Sequence, residues 1–207
     1  MTPTAVANLE IPRLTRKLNK TPHKTQYHPI NPKPPFPPIL FTSSPAYQAK
    51  KKIMAAMQKR LEREYHAMRK NPTLAYHVQL KQGEFSDWLG SLQGLKNSAY
   101  QGGTFKFHLH FTEEYPAKPP TLRFTTRIYH PNVDARTGAV AWRMLGSGWH
   151  HNITVEKVMM SLRTLLDHPE LESAVEMQIA REFIQQPKRY VHHAKQWTER
   201  FAKEDVV

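Results

Sequence analysis

Apolar residues return along this chain at spacings that change from one segment to the next, and each change marks a new element. Ile53, Met57, Leu61, Tyr65 and Met68 recur every three or four positions, which predicts one face of an amphipathic helix. That helix ends before Asn71-Pro72, because a residue ahead of proline is pushed out of helical geometry. Short runs rich in aromatic and branched residues then predict strands over 76–80, 85–92, 105–111 and 122–124. Glycine-containing turns separate the first three, and the proline-rich stretch 115–120 precedes the fourth, so the strands read as an antiparallel meander. From Thr126 to Asn152 no period holds, and this stretch is longer than most connections in compact domains. Trp142, Met144, Leu145 and Trp149 predict that it packs rather than dangles.

Three helices close the pattern. Val155, Val158, Met159, Leu162, Leu165 and Leu166 form the broad apolar face of a buried central helix. Residues 174–184 read as a second. Pro187 opens a third at a position that tolerates proline, with Val191, Ala194, Trp197 and Phe201 along one side. One helix, a four-stranded meander, a long loop and three helices define an α+β domain over residues 51–203.

The first 50 residues differ. They hold ten of the 17 prolines, and their seven lysines and arginines face one acid, Glu10. With no apolar period to offset its ordering entropy, residues 1–50 are expected to form a disordered basic tail, and residues 204–207 a short C-terminal one. Pro-x-x-Pro spacing occurs at Pro32/Pro35, Pro34/Pro37 and Pro35/Pro38, which proline-rich composition by itself explains.

Composition narrows the chemistry. Thirty Lys and Arg against 17 Asp and Glu leave a formal charge of +13, which suits anionic partners: nucleic acid, membrane surface or acidic protein. No stretch of eighteen apolar residues predicts a membrane-spanning helix, and the N-terminus lacks the run of a secretory signal. The cytoplasm or nucleus is therefore the expected location. No membrane partner is expected, and because basic and aromatic residues do not interleave on a strand face, specific nucleic-acid recognition is not expected either. The sequence contains no cysteine, which removes disulfides, thiolate nucleophiles and thiolate metal ligands together. His108 with His110, His150-His151 and His192-His193 have generic spacings, so no metal site is expected from them.

The loop motifs are more specific than the order of elements. Tyr115-Pro-Ala-Lys-Pro-Pro120, then Tyr129-His-Pro-Asn132 and Trp149, resemble the ubiquitin-conjugating enzyme family in order and spacing. Tyr100-Gln-Gly-Gly103 before a strand and Trp88 before Gly94 look like further landmarks of it. The resemblance implies the fold of that family, with no cofactor. It also implies a role for His130, Pro131 and Asn132: the asparagine amide stabilises the oxyanion formed when a lysine attacks a thioester, or orders the loop beside it. The histidine is implied to be a structural residue of the turn.

Counting along the family's frame places Ala141 where its cysteine stands, three residues after Gly138 and eight before Trp149. The segment 134–137 is one residue longer than in many relatives, which leaves Val140 as the alternative. Neither side chain is a nucleophile. Ser147 and Thr137 carry hydroxyls nearby, but a serine needs a positioned base and would form an oxyester.

Other positions depart as well. Trp142-Arg143 replaces the small apolar and often acidic pair that follows the family's cysteine. Ser173 maps to the acidic or serine gate after the central helix. Ala117 stands where many relatives carry a large apolar residue that binds ligases, and His150-His151 replaces the other half of that contact. The basic first helix, with Lys59, Arg60 and Arg63, is retained, and in the family that face meets activating enzyme and ligase.

The expected function is thus that of a catalytically inactive ubiquitin-conjugating-enzyme variant, acting by binding ubiquitin, an active conjugating enzyme or a ligase. Residual transfer through an unusual nucleophile is one alternative. Salt-sensitive, nonspecific binding of nucleic acid through the basic tail is another.

Overall fold

The computed structural model describes residues 44–203, so the tails expected over 1–50 and 204–207 lie largely or wholly outside the described residues. Helix α1 spans Pro45–Lys70. Strands β1 (Tyr76–Lys81), β2 (Glu84–Gln93), β3 (Thr104–His110) and β4 (Thr121–Phe124) follow. Helices α2 (Val155–Asp167), α3 (Met177–Gln185) and α4 (Pro187–Phe201) close the described chain.

The strands form one antiparallel sheet in the order β1-β2-β3-β4, the meander expected from the sequence. Alternation along β3 and β4 puts Phe105, Phe107, Leu109, Leu122 and Phe124 on the buried face. Trp88 and Leu92 join them from β2, and α2 covers the face with the six apolar residues that predicted its burial. Each such side chain, fully buried, contributes about 1.5–3 kcal/mol, so this layer supplies most of the drive to fold. Gly90 has no side chain for a physical reason: a Cβ there would lie 2.4 Å from both the His77 carbonyl oxygen and the Phe107 ring.

Two helix starts differ from the sequence expectation. Helix α1 begins six residues before Lys51, because Ser44 caps it by accepting from the Tyr47 N–H at 3.1 Å and Pro45 sits at its first position. That start carries no buried residue, so apolar spacing could not reveal it. Helix α3 begins at Met177 rather than at residue 174, because the N–H groups of Val175 and Glu176 both bond to the Pro131 carbonyl at 2.9 and 3.0 Å. The buried side of α4 is Tyr190, Ala194 and Thr198, while Trp197 and Phe201 are only half-buried and Val191 is exposed.

One buried acid ties three elements together. Glu64, on the apolar stripe of α1, accepts from the Arg60 guanidinium, from the Tyr115 hydroxyl at 2.9 Å and from the Val155 N–H at 2.6 Å. The last bond supplies an acceptor to the first turn of α2, where backbone donors lack partners within the helix. The Tyr115–Pro116 peptide bond is cis.

Candidate functional site

His130-Pro131-Asn132 forms a tight turn with its side chains inside. His130 and Asn132 are both 0% exposed. The His130 Nδ1 accepts from the Asn132 backbone N–H at 3.0 Å, so Nε2 must carry the proton, which it donates to the Leu165 carbonyl at 3.0 Å. Burial pushes the imidazole pKa down to about 4, against the smaller opposing effect of hydrogen bonds to the α2 carbonyls. A neutral, immobilised imidazole is a structural element.

Asn132 spends its amide on backbone. Nδ2 donates to the Glu170 carbonyl at 2.7 Å, and Oδ1 accepts from the Glu170 N–H at 2.9 Å. The segment after α2 is thereby fastened to the turn.

The loop beyond Asn132 is locally over-determined. Asp134 accepts from the Arg136 and Thr137 N–H groups at 3.1 and 2.6 Å and from the Thr137 hydroxyl at 2.7 Å. These bonds, the Thr137 hydroxyl first, hold its carboxyl below the usual range. Gly138 has φ +70°, and a Cβ there would sit 1.9 Å from the Phe124 carbonyl oxygen. The chain then pairs back: the Ala141 N–H donates to the Asn132 carbonyl at 2.9 Å, and Val140 bridges to Val133. Ala141 therefore lies beside the asparagine turn, with a methyl group as its whole side chain.

Arg143 and Ser173 meet there through Glu170, a residue that no sequence motif marks. The Glu170 carboxylate accepts from the Arg143 N–H and from the Ser173 hydroxyl, both at 2.8 Å, and pairs with the Arg143 guanidinium at 3.4 Å. The guanidinium is largely exposed, so the ion pair itself adds little; the two short bonds fix the geometry. Of the hydroxyls considered as nucleophiles, Thr137 is held by Asp134, and Ser147 is exposed on a turn with no base bonded to it among the described residues.

The residues expected to bind partners gather at the end of the molecule formed by α1 and two loops. The Trp149 indole donates to the Pro116 carbonyl at 2.8 Å, which sets exposed Ala117 close to the exposed His150-His151 pair. Arg60, Arg63 and Asn152 line a common groove. Lys59 and Arg63 are exposed, but Arg60 turns inward to Glu64 and to the Ile153 carbonyl at 3.4 Å. The histidines go to separate places: His108 and His110 share Asp87 at 2.7 and 3.1 Å, and His193 bonds to Glu182 at 2.8 Å.

Comparison with known proteins agrees with this geometry. The sequence model of the family described as "Ubiquitin-conjugating enzyme" matches residues 60–198, and the chain belongs to that family. It is 32% identical over 148 residues to Ubiquitin conjugating enzyme E2 B of Dictyostelium discoideum, covering 72% of this chain and 99% of that protein. It is 34% identical over 132 residues to Ubiquitin-conjugating enzyme E2 21 of Caenorhabditis elegans, covering 63% of this chain and 62% of that one. Among solved structures, the E2 domain of a ubiquitin conjugating enzyme from Toxoplasma gondii matches with TM-score 0.65 and 30% identity, over 70% of this chain and 99% of that one. A ubiquitin conjugating enzyme from Plasmodium yoelii matches with TM-score 0.67 and 26% identity, over 72% of this chain and 97% of that one.

Proposed function

We propose that this chain works in protein ubiquitination by binding rather than by transfer, with ubiquitin, an active conjugating enzyme or a ligase as its partner. The observation that carries this reading is the pairing of Ala141 with Asn132. A methyl group stands beside the asparagine turn, and the asparagine amide is already committed at both ends to the Glu170 backbone. A thioester intermediate needs a thiolate, and the sequence has none. The exposed face around Lys59, Arg63, Ala117, His150 and His151 is the docking surface in this reading, and the cytoplasm or nucleus is where it acts.

The test is a charging reaction with activating enzyme, ATP and ubiquitin, followed by a pull-down with the full chain. The expected result is no covalent ubiquitin on the chain, together with retention of one of the three partners. A ubiquitin adduct cleaved by hydroxide and abolished by Ser147→Ala would overturn it, because that pattern identifies an oxyester.

A further inference from the structure

The two edges of the sheet are treated differently. In the β2–β3 and β3–β4 ladders the backbone bonds alternate, which leaves Leu122 and Phe124 of β4 facing outward. Both are satisfied: Phe124 N–H donates to the Gly138 carbonyl at 2.8 Å, and the Leu122 carbonyl accepts from Val140 at 3.2 Å. The loop from the asparagine turn therefore covers that edge.

Strand β1 is not covered in this way. The Gln93 N–H donates to the Ala75 carbonyl at 2.9 Å, while the Ala75 N–H goes to the Thr73 hydroxyl at 3.1 Å; in this register His77 and Gln79 direct their backbone groups at β2, and Tyr76, Val78 and Leu80 direct theirs outward. Tyr76 is met by a bridge from Thr73. Val78 and Leu80 present N–H and C=O groups that have no protein partner among the described residues. Beside them lies a groove of about 310 Å³, lined by Met68, Arg69, Thr73, Tyr76, His77 and Val78. Leu74, at the mouth of the turn, is 96% exposed.

We propose that the β1 edge is a docking site for an extended segment of an acidic protein, which adds a fifth strand against Val78 and Leu80. An added strand bonds through its backbone and sends alternate side chains to opposite faces. One set enters the groove against Met68 and Val78, which asks for apolar residues. The other set points with His77, Gln79 and Lys81 toward solvent, and Arg69 lines the groove between them, which asks for acids. The acids facing this region are Glu84, across the β1–β2 turn from Lys81, and Glu156, beside the Tyr76 hydroxyl. A second copy of this chain is the wrong occupant, because antiparallel pairing of two β1 strands brings these cations against their own equivalents. The site is separate from the asparagine turn, so it stands whether or not the chain transfers ubiquitin.

The experiment titrates the ¹⁵N-labelled full chain with an acetylated, amidated heptapeptide of alternating glutamate and valine. The amide resonances of Val78 and Leu80 should shift and exchange more slowly with solvent. The same peptide N-methylated on its valines should fail to bind, and the Arg69→Glu/Lys81→Glu variant should bind it at least about tenfold more weakly. Equal binding of the N-methylated peptide would overturn the proposal, since no strand is then being added. So would shifts confined to other elements, no shift up to millimolar peptide, or a dimer with Val78 and Leu80 already protected.

Discussion

Asn132 holds Glu170 by both of its backbone groups, accepting from the N–H at 2.9 Å and donating to the carbonyl at 2.7 Å. The Glu170 side chain in turn holds Arg143 and Ser173. Two loops far apart in sequence are joined by one buried amide and one carboxylate, around a position occupied by alanine.

Asn132→Ala is expected to lower stability by about 2 kcal/mol, because two backbone groups of Glu170 lose their partners. Urea denaturation measures this directly. Partner retention should be unchanged at a temperature where both forms are folded. A variant that melts like the parent but loses a transfer activity would show that the amide acts on a reaction.

Ala141→Cys is not expected to restore efficient transfer. Trp142 and Arg143 follow it directly, Arg143 is tied to the Glu170 carboxylate, and Asn132 already gives one amide N–H to the Glu170 carbonyl. The measurement is single-turnover discharge of the charged variant to free lysine. A rate near that of an ordinary conjugating enzyme defeats the reading.

Stability should fall with acid through His130. The imidazole pKa is about 4 in the folded chain against an ordinary 6.5. Between those values the unfolded chain binds the extra proton, so the contribution is fully present above pH about 6.5 and is lost as pH falls through about 4. The loss is on the order of 3 kcal/mol. His130→Gln should be less stable at neutral pH and should show a shallower decline of Tm between pH 7 and pH 4. Parallel declines would remove His130 as the cause.

Glu64→Ala should cost about 3–5 kcal/mol, since it strands the buried side of Arg60, the Tyr115 hydroxyl and the first N–H of α2. Tyr115→Phe removes one of these bonds and should cost about 1 kcal/mol. Chemical denaturation of the two variants side by side checks the order. Equal losses would mean that Glu64 acts through Tyr115 alone.

Much of this was legible along the chain. Period-two and period-3.6 patterns located all four strands and the buried α2, because each element's own residues decide which face it buries. The turn at 130–132 stands out by its motif, and counting along the family's frame points to Ala141, with Val140 as the alternative, where the cysteine would stand. Glu64 does carry a signal in the sequence: it is an acid set between Leu61 and Met68 on the apolar stripe of α1, where a charge needs buried partners. Arg60 gives no such signal, because a basic residue one turn before that acid looks like any helix-face charge until the segment ahead of α2 is docked beside it.

Glu170 left no such signal. It is one of several polar residues in the segment after α2, and its importance comes from Asn132 and Arg143, 38 and 27 positions away. The open edge of β1 was likewise invisible, since whether an outward N–H is paired depends on which loop folds against it. The sequence by itself determined the elements, the family resemblance and the absence of a thiol, because these are properties of local pattern and residue identity. Only the tertiary structure decided which polar groups meet, because hydrogen bonds between distant segments depend on ångström-scale placement that the whole packed core sets.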